Sequence, residues 1–129
     1  MTNKCEDCGR CCLNTEMPLS LRDIEIILNN FPVKLKKESF ALKITNYYYQ
    51  LKNIDGHCFF FDKTNKNCKI YAFRPQGCKF YPIIYNQDKK KCIYDDYCPR
   101  TKLFIQGTRE FKMTCNKIKK FLKAELEII

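Results

Sequence analysis

Four cysteines lie within eight residues near the start of the chain, in the stretch Cys5-Glu6-Asp7-Cys8-Gly9-Arg10-Cys11-Cys12. Core packing does not call for this, because a lone cysteine packs as a small hydrophobe and four on one tight loop have no such use. Thiolates converging on a soft cation do call for it. A C-x-x-C turn sets two sulfurs on one side of a knuckle, and Gly9 relaxes the backbone so that a third can turn back toward them. Adjacent Cys11 and Cys12 suit a junction where each thiolate faces a different metal, or where one ligates and the other packs.

The chain has 129 residues, enough for one domain (1–129) with a modest core. With 29% charged and 45% hydrophobic residues it reads as soluble and globular, and no stretch is long and apolar enough to span a membrane. Met1-Thr2-Asn3-Lys4-Cys5 carries no apolar signal region. The expectation is a cytoplasmic protein whose thiols stay reduced, so its ten cysteines read as metal ligands before they read as a disulfide framework. The formal charge of +10 counts every cysteine as neutral. Two sites of four thiolates on Zn²⁺ would bring it to about +6. The lysines are spread along the chain and cluster only at Lys89-Lys90-Lys91 and Lys119-Lys120. That is a solvated surface before it is a nucleic-acid face.

After the knuckle, Ser20 and Asp23 resemble a capping box with aspartate in the usual glutamate position. Leu21, Ile24, Ile27 and Leu28 share a face, which predicts a helix over about 21–30 that ends at Phe31-Pro32. Residues 33–44 fit either a short helix or an extended run, and Tyr47 to Leu51 reads as a strand. Asn53-Ile54-Asp55-Gly56 is a turn. Cys58-Phe59-Phe60-Phe61 and Cys68-Lys69-Ile70-Tyr71 read as one small hairpin with a cysteine in each arm. Arg74 to Cys78 reads as a tight turn, and Phe80–Tyr85 with Cys92–Tyr94 as another strand pair. The last segment predicts a long helix, about 109–127, capped by Thr108, with Phe111, Cys115, Ile118, Leu122, Leu126 and Ile129 on one stripe. The predicted fold is a small α+β metal-stabilised domain. Short hairpins and cysteine-bearing loops surround a metal site, flanked by the two helices.

Cys5, Cys8, Cys12, Cys58, Cys68 and Cys78 sit in turns or hairpin arms, where ligands normally sit. Cys11 and Cys98 join them, Cys98-Pro99 resembling the pair that ends ferredoxin ligand runs. Cys92 could simply pack in a strand, Cys115 belongs to the core stripe, and His57 would point away from Cys58. Eight sulfurs fit two Cys₄ zinc sites, with zinc–sulfur distances of about 2.3 Å. C-x-x-C-x-x-C also opens the bacterial ferredoxin run, here with the fourth cysteine immediate, so an iron–sulfur cluster such as a 4Fe-4S centre fits as well. Spacing alone does not choose between zinc and iron, or between one metal site and two.

Cys5-x-x-Cys8-x-x-Cys11-Cys12, then Cys58, then Cys68-x-Ile70-Tyr71-x-x-Arg74-Pro75-x-x-Cys78-x-x-Tyr81-Pro82 closely resembles the YkgJ-like CxxCxxCC cysteine-cluster family of zinc- or iron-chelating domains. Cys92 and Cys98-Pro99 look like its trailing cysteines. The chain departs from the pattern at Arg100, where glycine often follows Cys-Pro. The family also resembles the cysteine-rich part of flagellin lysine N-methylases, but no glycine-rich nucleotide-binding loop is present, so a complete methyltransferase is not supported. The resemblance implies metal binding and supplies no substrate. Within the motif the Arg74 guanidinium could hydrogen-bond cluster thiolates or form a surface ion pair. Pro75 and Pro82 are expected to set turns, and Tyr71 and Tyr81 to cover the site.

Three functions follow. The first is a metal-binding protein holding zinc or an iron–sulfur centre. The second is an iron–sulfur-dependent enzyme or enzyme subunit working on a protein or in redox chemistry. The third, carried only by the basic charge and the exposed-looking Tyr47-Tyr48-Tyr49, is a zinc-dependent nucleic-acid module.

Overall fold

Ser20 ends strand β1 (Pro18–Ser20) and caps helix α1 (Leu21–Asn30) in the computed structural model, which describes residues 12–95 and 107–129. Its hydroxyl accepts the Asp23 N–H at 3.0 Å, and an Asp23 carboxylate oxygen accepts the Ser20 N–H at 3.0 Å. The capping box therefore forms, and the helix keeps its predicted bounds. Ile24 and Ile27 are buried, but Leu21 is 54% exposed instead of joining their stripe. The inward face is turned toward Ser20 and Asp23, which are themselves buried and bonded to more distant parts of the chain.

The ambiguous stretch after α1 holds both alternatives, a short helix α2 (Lys37–Phe40) and then strand β2 (Ala41–Lys43). Strand β3 (Tyr48–Leu51) pairs antiparallel with β1 on one side and β2 on the other, with Leu19 opposite Tyr49 and Ala41 opposite Leu51. Leu19, Ile24, Ile27, Phe40 and Leu51 form the first core with Cys58, Phe60 and Ile70. Phe60 is its centre, with ring centroids 5.0 Å from Phe59, 5.2 Å from Phe40 and 5.8 Å from Phe31.

Cys58 and Cys68 do not share one hairpin, as the sequence suggests. Two hairpins follow each other, with one cysteine in the second arm of each. Strand β4 (Asn53–Ile54) pairs with β5 (His57–Cys58), and β6 (Phe61–Asp62) pairs with β7 (Asn67–Cys68). Asp55 and Gly56 both take left-handed φ values, 52° and 79°. This two-residue turn folds Cys58 back onto Asn53 before the chain reaches Phe61.

In the β6–β7 loop the Asp62 carboxylate accepts the N–H groups of Thr64 and Asn65, at 2.9 and 3.2 Å, and the Asn65 amide at 3.0 Å. The bonds from Asn65 come first among the causes that hold the Asp62 carboxyl below its usual range. A depressed acid stabilises the turn at pH above the ordinary carboxylate range, and that contribution is lost as pH falls through the lowered value. The amide shifts of Thr64 and Asn65, followed by NMR, are expected to titrate below the usual range in the wild type. This titration should be absent in Asp62→Asn.

A 3₁₀ turn (Tyr71–Phe73) leads to helix α3 (Gln76–Phe80), so Cys78 lies in the middle of a short helix, not in the expected tight turn. Tyr81-Pro82 is a cis peptide, and strands β8 (Ile83–Asn86) and β9 (Lys91–Tyr94) form the expected pair. Helix α4 runs from Thr108 to Lys120 with Gly107 at its cap position, so Thr108 begins the helix instead of capping it. It continues as a π turn, Phe121–Glu125. The wider turn brings Phe121 and Leu126, five residues apart, both into the interior. Glu127 then takes a left-handed φ of 53°, so Ile129 lies past the helix and is exposed against expectation.

The second core joins Ile83, Cys92, Cys115 and Ile118, with Phe111 and Leu122 packed against it. Cys115 is buried as expected. It is also disulfide-bonded to Cys92, with 5.8 Å between the Cα atoms, which ties β9 to α4. No helix among the described residues is long and apolar enough to cross a membrane.

Candidate metal centre

The first residues after the cysteine knuckle are bound along the β4–β5 hairpin. Leu13 bridges antiparallel to His57, and the Asn14 N–H donates to the Gly56 carbonyl at 2.8 Å. The Asn53 side chain clamps Thr15 at both backbone groups. Its Oδ1 accepts the Thr15 N–H at 3.0 Å, and its Nδ2 donates to the Thr15 carbonyl at 3.0 Å. Cys58, on the hairpin, is buried in the first core, and Cys12 packs against that core. Cys68, paired with Phe61 in the next hairpin, packs there too. The structure thus gathers Cys12, Cys58 and Cys68 around one core. Cys78 is half-buried on α3.

Cys5, Cys8, Cys11 and Cys98 lie outside the described residues. Among the described residues, no group of three or more His, Cys, Asp or Glu side chains could by itself hold a metal ion. The donor chemistry fits zinc or iron, since the candidate ligands are all thiols. The His57 ring lies flat against Phe61, with centroids 5.2 Å apart, and its Nδ1–H donates to the Asp55 carbonyl at 3.0 Å.

Arg74 is placed on Tyr71. Its Nη1 donates to the Tyr71 carbonyl at 2.8 Å, and its guanidinium lies 4.0 Å from the ring centroid. The arginine thus braces the turn that feeds α3. Tyr81 donates its hydroxyl to Asp95 at 2.5 Å. Gly77 leaves room for Met17, because a Cβ there would collide with the Met17 sulfur. At the head of α3, the Gln76 backbone N–H and side-chain amide both donate to Asp23, and the amide also reaches Glu125.

A cavity of about 500 Å³ opens between the 13–17 segment, α3, β8 and the C-terminal helix. Leu13, Met17, Phe80, Tyr85 and Phe121 are among its walls, and Glu16 and Asp95 supply its acidic groups. It borders Leu13 and Gly77, each one residue from a candidate ligand.

Sequence reading missed the Asn53 clamp, the Gln76 contacts and the Cys92–Cys115 bond. Asn53 and Thr15 are 38 residues apart, and Gln76 and Asp23 are 53 apart. Nothing local announces either pairing, although Gln76 does stand inside the Arg-Pro-x-x-Cys motif.

The profile of the family CxxCxxCC, described as "Putative zinc- or iron-chelating domain", matches residues 4–99. Uncharacterized protein MJ0661 of Methanocaldococcus jannaschii is 31% identical over 96 residues, which cover 70% of this chain and 51% of that protein. The chain therefore spans about half the length of this curated relative. No solved structure matches.

Proposed function

The chain belongs to the CxxCxxCC family, described as zinc- or iron-chelating, and from this we propose that residues 1–129 form one thiolate metal-binding domain. Its one or two sites hold zinc or iron through Cys5, Cys8, Cys11 and Cys12 together with Cys58, Cys68, Cys78 and Cys98. The observation that carries the reading is the binding of residues 13–15 along the β4–β5 hairpin, which directs the end of the knuckle to the core that holds Cys58 and Cys68. Zinc would cross-link these segments structurally, and an iron–sulfur cluster would add electron transfer. The chain's own residues do the positioning. Asn53 fixes the strand leaving the knuckle, Asp55-Gly56 turns Cys58 inward, and Arg74 braces the approach to α3.

Protein purified without air and without a metal-binding tag should carry about one zinc or iron per chain or more. Cys58→Ser and Cys68→Ser should each remove about half of it or more by elemental analysis. Background metal in the wild type, or unchanged content in both variants, overturns the reading.

The cavity beside the candidate ligands favours a second reading, an iron–sulfur enzyme or subunit with room for a substrate near the centre. A visible absorption band that bleaches on reduction supports it, and a colourless zinc protein with closed coordination removes it.

A further inference from the structure

The C-terminal helix grips both ends of the helix that carries Cys78. At the head of α3, the Gln76 amide donates to Glu125 Oε1 at 2.9 Å and to Asp23 Oδ1 at 3.2 Å. At its tail, Phe80 meets Phe121 edge-on, with ring centroids 6.0 Å apart. Cys78 stands midway between these two contacts. Taken alone, the helix α3 has little to hold it in shape. The helix has five residues and no side-chain cap, and the backbone bonds spanning it include Lys79 N–H to Pro75 O and Tyr81 N–H to Gly77 O, both 3.1 Å. Helices below about 12 residues are marginal without outside support. The position of α3, and with it the backbone that carries Cys78, is therefore set by what holds the helix from outside. The same C-terminal helix is joined to β9 by Cys92–Cys115.

We propose that Gln76 is a positioning residue for Cys78 in the metal centre, and that the C-terminal helix, anchored by the Cys92–Cys115 disulfide, sets how firmly that centre retains its metal. The proposal rests on Cys78 being a ligand. A ligand whose helix is unanchored must be ordered afresh each time the metal binds, so the loss appears as faster release and weaker affinity at unchanged stoichiometry. A dithiol reductant would open the anchor by ordinary exchange. Two electrons and two protons pass to Cys92 and Cys115 as thiols, and the reductant closes to its own disulfide. Reduction then loosens metal at a site that contains neither cysteine.

The test uses the full chain loaded with zinc, and follows release to a chromogenic chelator. Gln76→Ala, Glu125→Ala and the double variant Cys92→Ser with Cys115→Ser are each expected to release zinc about tenfold faster or more. Glu125→Gln, which keeps an acceptor oxygen for the Gln76 amide, should restore slow release. Hydrogen exchange of the Lys79 and Tyr81 amides in metal-free protein reads the same grip without metal, and should quicken in Glu125→Ala. Unchanged release in Gln76→Ala and Glu125→Ala overturns the proposal. Loss of stoichiometric zinc in the double cysteine variant makes those residues ligands and overturns the anchor. A wild type that binds no metal overturns the metal reading itself, and the exchange experiment then separates that failure from the grip on α3.

Discussion

Phe60→Ala is expected to lower unfolding stability by about 4 kcal/mol, among the largest single losses in the chain. The ring is fully buried and touches three other phenylalanines. Alanine leaves a cavity whose walls come from different elements: Phe31 just past α1, Phe40 at the end of α2, and Phe59 beside β5. The walls come from three separate segments joined to capped α1 and to the β2–β3 and β4–β5 ladders, so the site collapses poorly and most of the cavity term is felt. The midpoint of urea unfolding should fall with an unchanged slope, and Tm should drop by about 15 °C. Phe60→Leu keeps most of the volume and should cost about 1.5 kcal/mol. A loss below about 1 kcal/mol in Phe60→Ala would mean that the ring is not at the centre of the core. Because Cys58 and Cys68 belong to or pack on the same cluster, metal content should fall in Phe60→Ala along with stability.

The features that sequence reading recovered are those written within one turn of the chain. The Ser20–Asp23 box, the proline stop after Phe31 and the turn read at Asn53–Gly56 each depend on residues up to three apart, although Asn53-Ile54 pairs as β4 and only Asp55-Gly56 makes the corner. The same holds for the early part of the stripe on the last helix. The failures share a different cause. Phe59-Phe60 looks like the middle of a strand because turns are usually polar, whereas here buried Phe60 with half-buried Phe59 makes the corner between two hairpins and packing overrides pattern. The stripe counted at helical spacing includes Ile129, but the helix ends at Glu125 and Glu127 turns left-handed, so the stripe stops at buried Leu126. The candidate site was readable as an inventory of thiols and as a family resemblance, which the match over residues 4–99 bears out. Its assembly was not, because the Asn53 clamp joins segments 38 residues apart. Nor does a cysteine spacing record that Cys92 lies across from a helix face.

Asp23→Ala should cost about 3 kcal/mol, more than the loss of a helix cap alone. The carboxylate is buried and accepts three hydrogen bonds: Ser20 N–H on Oδ2, and the Gln76 backbone and side-chain donors on Oδ1. An ordinary surface cap is worth about 1 kcal/mol. Here truncation also strands the N–H of buried Ser20 and removes the acceptor that joins α1 to α3. Asparagine separates the two roles. It presents one oxygen and one N–H₂, so it can serve either Ser20 or Gln76 as acceptor but must turn a donor toward the other. Asp23→Asn should therefore lose about half of what Asp23→Ala loses, while serine, reaching only the cap, should lose nearly as much as alanine. The comparison also bears on the metal. If α3 is held from Asp23 and Glu125 together, Asp23→Asn should hasten zinc release even at temperatures where the fold is intact. Equal stability of Asp23→Asn and wild type would mean that the carboxylate's second oxygen has no partner to lose, and that α1 and α3 are joined by packing alone.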